Sequence, residues 1–337
     1  MWGIARILGY SASIHGEVSH ARVEIIPALL LFFGTIAGVF IAGCSDDDIP
    51  TGPSLEGTWA CIGTGQNGFL FGLAAYDDRL IASGNIFIAD TVPGYDIAAW
   101  NDSSWTPLAT GMDHLAAAFT VFDNKLIAGS WSGNRVDSGT SVITAWNGSS
   151  WEPLGTEIDG YVQSLIVYDN TLIAAGFTGT QVDGEGWILA WDGSTWTAIV
   201  TEIANGNFWS EVNTLAVYDN HLIAGGWFDS IGGVSANNIA AWDGSAWPPL
   251  GSGVDGTICA LTVWDNRLIA CGQFTTAGGV GANCIAAWDG SSWKSIGSGT
   301  NATIWAVTAF GTQLVAAGEF TTAGGVAARG VAAWTPE

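Results

Sequence analysis

The chain has 337 residues, with 47 glycines and 19 tryptophans, and its 8 lysines plus arginines face 31 acids for a net charge of −23. So few cations exclude a surface built to neutralise nucleic-acid phosphates, and an anionic lipid surface would repel the chain. Abundant glycine with large aromatics suits an all-β chain rich in turns, and the length allows one large domain or two ordinary ones.

In chain order, the first segment is residues 25–43, IIPALLLFFGTIAGVFIAG, apolar throughout and preceded by Arg22. It ends in Ile41-Ala42-Gly43-Cys44. That run resembles the bacterial lipobox, in which small residues expose the bond to the peptidase and the thiol accepts the lipid. The resemblance implies a signal peptide over residues 1–43, lipidation at Cys44, and an exported lipoprotein of the outer membrane or cell surface, held to the membrane through that lipid alone. A plain N-terminal transmembrane helix is the alternative, since the length nearly suffices. Residues 44–56 read as an acidic Pro/Gly tether. The acidic run after Cys44 is similar to the surface-export signal of Bacteroidetes lipoproteins and equally to a solvated linker. By analogy with enteric bacteria, Ser45 in place of Asp disfavours inner-membrane retention.

From residue 57 the chain repeats itself. A Leu-(Ile/Val)-Ala tripeptide begins at Leu80, Leu126, Leu172, Leu222, Leu268 and Leu314, every 46 residues apart from one step of 50. One tryptophan recurs at Trp100, Trp146, Trp191, Trp242, Trp288 and Trp334, and a second at Trp59, Trp105, Trp151, Trp196, Trp247 and Trp293. Each unit reads as four short strands: one like TLAVY, an Asp-Asn turn, a second like HLIAGGWF, a Gly-rich loop, a third like NIAAW, an Asp-Gly-Ser turn, and a fourth like AWPPLG. Near-continuous apolar runs with small Ala and Gly indicate strands buried on both faces, as stacked blades require. A four-strand repeat of this length marks a β-propeller blade. The element GTWACIG at 57–63 is a fourth strand without its first three, and the final unit ends at its third. Joining the ends makes an all-β, six-bladed propeller over 57–337, closed by the N-terminal strand with no raw sheet edge.

The series LIAGG, variable loop, IAAWDG, SAW, PLG resembles the kelch repeat. Among kelch-like propellers it is most similar to the fungal cortical cell-polarity marker and its exported bacterial relatives. The resemblance covers 57–337 and implies a binding scaffold, with few members doing chemistry; the expected ligand is a glycan or protein on the loop face. Kelch usually carries Tyr where Trp242 and its counterparts stand, and Ser130 replaces the second glycine of repeat two.

Few residues suggest catalysis. Asp77, Asp123, Asp169, Asp219 and Asp265 share one turn position, and Asp192, Asp243 and Asp289 another, so both sets read as turn geometry. His221 falls where other repeats have Arg79, Lys125, Thr171, Arg267 and Gln313, hence a solvated side chain. His114, beside Asp113, is the one candidate for acid–base work, and a glycan-active lyase or hydrolase is the alternative reading. No cofactor or metal is expected. Cys61, Cys259, Cys271 and Cys284 form no framework spacing and read as buried free thiols.

Function is expected where the repeat breaks. From the second Trp to the next Leu-(Ile/Val)-Ala is 21 residues in five cases and 26 in one, and the excess falls in TEIANGNFWSEV, 201–212. That insert carries Glu202, Phe208 and Trp209. Trp131, Phe177 and Trp227, just after strand two in repeats two to four, approach the same rim, with Asp183, Glu185 and Asp229 nearby. Aromatic planes beside carboxylates suit stacking on sugar rings and hydrogen bonding to hydroxyls. The same aromatics would also serve to plug gaps between blades.

Overall fold

The computed structural model describes residues 70–84, 96–100, 104–108, 115–131, 140–178, 184–200, 202–206, 209–310, 312–328 and 330–336. The signal segment, Cys44, the tether, the 57–63 strand, His114 and Phe208 lie outside these residues.

All regular structure among the described residues is strand, folded as successive antiparallel meanders. The first sheet joins Leu70–Tyr76, Arg79–Gly84, Asp96–Trp100 and Trp105–Pro107. The second joins Leu115–Phe122, Lys125–Trp131, Ile143–Trp146 and Trp151–Pro153. The third joins Tyr161–Tyr168, Thr171–Phe177, Gly186–Trp191 and Trp196–Val200. The fourth has Glu211–Tyr218, His221–Trp227 and Ile239–Trp242. The fifth has Thr257–Trp264, Arg267–Gln273, Ile285–Trp288 and Trp293–Ser295, and the sixth Ile304–Phe310, Gln313–Gly318 and Val331–Trp334.

The turns follow from side-chain chemistry. Each Asp-Asn pair takes two left-handed residues, as at Asp219 (φ 48°) and Asn220 (φ 58°), the mirror-image turn whose twist matches paired strands. In the Asp-Gly-Ser turns the glycine is left-handed, as at Gly244 (φ 97°), and the aspartate accepts the amides that follow. These aspartates are structural, as their recurrence implied. The first strand of every sheet carries a bulge at the equivalent place, such as Val212/Thr214 and Ile258/Ala260, which adds twist.

Burial runs between consecutive sheets. In the second strand of the fourth sheet Leu222, Ile223 and Ala224 are all within 1% of full burial, so both faces are covered. The buried clusters pair the first sheet with the second, the second with the third, and so on to the sixth. The second-strand glycine permits this approach: a Cβ on Gly225 would stand 2.8 Å from Ile258 of the next sheet. The two repeated tryptophans face each other across the third and fourth strands, with ring centroids 5.2–5.5 Å apart. Tyrosine hydroxyls add links between sheets, Tyr168 donating to the carbonyl of Asn220 and Tyr218 to that of Asn266.

Two elements differ from expectation. The fourth strand of the fourth sheet is reduced to an isolated bridge between Ala240 and Pro249. Pro248 still accepts from Ala241, but neither Pro248 nor Pro249 has an N–H to donate, so no ladder forms. Conversely, the Gly-rich loops of repeats four to six are small hairpins: Ser230–Ile231 with Val234–Ser235, Thr276–Ala277 with Val280–Gly281, and Thr322–Ala323 with Val326–Ala327. Each turns on two left-handed glycines, Gly232-Gly233, Gly278-Gly279 and Gly324-Gly325. Each also pairs with the segment that leads from the previous sheet into its own, through Ile203–Ile231, Val254–Ala277 and Thr300–Ala323. The Asp-Asn and Asp-Gly-Ser turns thus occupy one end of the strands and the hairpins the other, the loop end.

Candidate functional site

The insert of repeat four is held down at the loop end. Ser210 is buried, its hydroxyl donates to the carbonyl of Ile203 at 2.6 Å, and it accepts the amide of Gly186 at 2.9 Å. Ile203–Ala204 thereby lies against the Ser230–Ile231 hairpin, and the carbonyl of Glu202 accepts the amide of Gly232. This fixes Trp209, which meets Trp227 edge to face, with centroids 4.5 Å apart and planes at 82°.

Beside that pair opens a cleft of about 420 Å³ between the fourth-sheet and fifth-sheet hairpins. Its wall includes Asn205, Trp227, Asp229, Asn237, Asn238 and Asp255. Close backbone packing shapes the floor. Gly253 is left-handed (φ 72°), and a Cβ there would stand 2.2 Å from the carbonyl oxygen of Asn237.

Each side-chain amide of the wall is oriented by one bond. Asn237 Nδ2 donates to Ser252 O at 2.9 Å, Asn238 Nδ2 to Val254 O at 3.0 Å, and Asn205 Nδ2 to Trp209 O at 3.4 Å. Asp255 accepts the amides of Thr275 and Thr276, both at 2.8 Å, and the Thr275 hydroxyl at 2.6 Å. Burial works to raise the pKa of this carboxyl, but the Thr275 hydroxyl and the two amides outweigh it and hold the group below its ordinary range. Asp229 makes no side-chain hydrogen bond among the described residues, and its Oδ2 lies over the left-handed Gly206.

The structure therefore brings Trp209, Trp227 and Asp229 together. Glu202 is exposed on the same segment but is absent from the cleft wall. Trp131 ends the second strand of the second sheet, opposite Leu115, and is not among the residues of the cleft wall. Phe177 is 5% exposed and packs on Tyr161 with centroids 4.9 Å apart, so it fills the protein interior rather than offering a face to a ligand. Asn205, Asn237, Asn238 and Asp255 escaped sequence reasoning. Their signal was partial recurrence: Asn237 and Asn283 make the same bond in successive repeats, as do Asp255 and Asn301.

Cys259, Cys271 and Cys284 are free thiols. Among the described residues no group of three or more His, Cys, Asp or Glu is arranged to hold a metal ion.

No protein-family model matches the chain, and no curated protein matches it in sequence. Solved structures do match in shape. The structure titled "YCF48 bound to D1 peptide" superposes with a TM-score of 0.50 at 13% identity, covering 79% of this chain and 81% of that one. A computationally designed protein, Ika8, superposes with a TM-score of 0.45 at 14% identity, covering 79% of this chain and 83% of that one. The succession of antiparallel, mostly four-stranded sheets packed face to face, together with the YCF48 likeness, identifies the fold as a β-propeller.

Proposed function

We propose that this β-propeller is an interaction scaffold of the bacterial cell envelope, anchored by a lipid on Cys44, that binds its ligand in the cleft beside Trp227. The observation carrying this reading is the cleft itself: a concavity at the loop end, bordered by an aromatic pair and by polar groups, where the only insertion in the repeat folds back. A protein segment is favoured over a glycan, in keeping with the peptide carried by the YCF48 structure. The lyase or hydrolase alternative rests on His114, outside the described residues.

In this reading the ring is six-bladed and kelch-like, and strand 57–63 completes the sixth sheet, placing Trp59 against Trp334. Support comes from the sixth sheet: it has three strands among the described residues, and its Phe310, Val331 and Trp334 are 64%, 49% and 38% exposed. Apolar side chains on that scale are usually covered.

Binding of the full chain to isolated envelopes tests the role. Trp227→Ala should abolish it. Protease pretreatment of the envelopes should remove binding if the ligand is protein, and periodate oxidation if it is a glycan. Undiminished binding by Trp227→Ala would sink the cleft assignment. Absence of radioactive palmitate on Cys44 would sink the anchor.

A further inference from the structure

Among the described residues, the charged side chain of the cleft wall left without a hydrogen-bond partner is a carboxylate, Asp229. The side-chain amides of Asn205, Asn237 and Asn238 each donate one N–H to a main-chain carbonyl, which fixes the orientation of those amides and leaves one N–H on each. Asn238 Oδ1 is engaged by the amide of Phe228, and Asp255 by Thr275 and Thr276. Among the described residues nothing donates to Asp229 or to the amide oxygens of Asn205 and Asn237. Apart from the Ser252 and Thr276 hydroxyls, which donate or accept, the free side-chain oxygens of the wall only accept.

The charge of the wall is one-sided. Asp229 and Asp255 stand in the wall, and among the described residues no Lys, Arg or His does. The cations of the described residues sit at the other end of the strands, where Arg79, Arg267 and Lys294 pair with Asp77, Asp265 and Asp289. Arg267 and Gln273 bound a seven-residue strand, a separation of roughly 20 Å at ~3.3 Å per residue. That exceeds the Debye length of about 10 Å at 0.1 M salt, so those cations leave the cleft uncompensated.

We propose that the cleft receives a positively charged hydrogen-bond donor, the guanidinium or ammonium of an arginine or lysine side chain on a protein partner. The head group lies among Asp229 and the Asn205 and Asn237 oxygens, and its apolar stem runs along Trp227. Charge-assisted bonds to Asp229 and the ring face of Trp227 are the two contacts that favour a cation over a neutral group. The inference rests on the cleft being the binding site and adds the chemistry of what enters it.

The test uses the full chain with 15N-labelled tryptophan, its Trp209 and Trp227 indole signals assigned by substitution with Phe. Probes are the blocked tripeptides Gly-Arg-Gly and Gly-Lys-Gly, the neutral isostere Gly-citrulline-Gly, glucosamine and glucose. Expected are shifts of both indole signals with the Arg and Lys peptides, about tenfold weaker binding of the citrulline peptide, and weaker binding as salt rises from about 25 to about 250 mM. Asp229→Asn and Asp229→Thr should bring the Arg peptide down to the citrulline level. Thr is the residue at the equivalent positions 275 and 321, so that variant keeps the hairpin. Equal affinity for Arg and citrulline, or unchanged affinity in both Asp229 variants, overturns the proposal. Binding of glucosamine without either cationic peptide overturns its protein partner. If no probe binds while envelope binding still requires Trp227, the cation falls and the cleft stands; if envelope binding ignores Trp227, the cleft itself falls.

Discussion

The indole N–H of Trp293 donates to the carbonyl of Leu250 at 2.8 Å, tying the fourth strand of the fifth sheet to the chain leaving the fourth. Trp196 makes the same bond to Leu154 at 2.8 Å, and Trp151 to Leu108 at 3.3 Å. Trp247 breaks the series: it is 1% exposed and its indole nitrogen has no partner among the described residues. The strand that should supply the acceptor, Trp196–Val200, is irregular where it pairs with Ile188 and Leu189, and it leads into the insert. A buried unsatisfied donor costs about 1–3 kcal/mol. Trp293→Phe removes a made bond to the Leu250 carbonyl, which then keeps only the Gly253 amide, whereas Trp247→Phe removes a buried donor that is already unsatisfied. Chemical denaturation should therefore find Trp293→Phe less stable than Trp247→Phe by roughly 1–3 kcal/mol; equal losses would contradict this packing.

The carboxylate of Asp192 accepts the amide of Thr195 at 2.7 Å and that of Ser194 at 2.8 Å, together with both hydroxyls. The Thr195 amide, then the Ser194 amide and the hydroxyls, hold this carboxyl well below its ordinary range. A folded-state value below the unfolded one, about 3.9, means that the charge's contribution is complete above that pH and is lost as pH falls from there through the lower folded-state value. Asn147 already caps the equivalent turn of repeat two with the same two amides. Asp192→Asn should thus keep the fold, and any stability gap to the parent at pH 7 should close below about pH 4. A gap independent of pH would show that the charge of Asp192 does not stabilise this turn.

Burial pushes the Cys259 and Cys271 thiols far above their usual pKa, and both are within 3% of full burial. Cys284 is half-buried, and burial raises its thiol as well, against an opposing bond from Thr300. Maleimide labelling mapped by mass spectrometry should modify Cys284 slowly in the folded chain. Cys259 and Cys271 should react only after unfolding. Rapid modification of either in the native state would contradict the packing of the fifth sheet.

If strand 57–63 completes the sixth sheet, Trp59 is a core residue. Trp59→Ala should then cost about 3–5 kcal/mol, as for other buried tryptophans. A change within about 0.5 kcal/mol, the range for surface positions, would remove the proposed closure.

The sheets were legible because each repeat carries its own punctuation. Asp219-Asn220 and Asp243-Gly244 adopt the left-handed turns that their side chains favour, and Trp242 meets Trp247 across the gap that their spacing set. The hairpins were not read, although Ile231-Gly232-Gly233-Val234 and Ala277-Gly278-Gly279-Val280 have hairpin form, because two-residue strands leave no periodicity to detect. Counting aromatics after the second strand found Trp227 but could not separate it from Phe177. That distinction depends on Tyr161, which packs against Phe177 in the third sheet where the fourth has Glu211 against Trp227. The cleft residues Asn237 and Asp255 come from different repeats, and only the stacking of sheets brings them to one wall.

Hydrogen–deuterium exchange of the full chain, free and bound to envelope fragments, tests the site most directly. Bound protein should gain protection at 202–210, 227–238 and 252–256, and none at the turns 219–221 and 265–267. Protection confined to those turns, or to the sixth sheet, would contradict a binding site in the cleft beside Trp227.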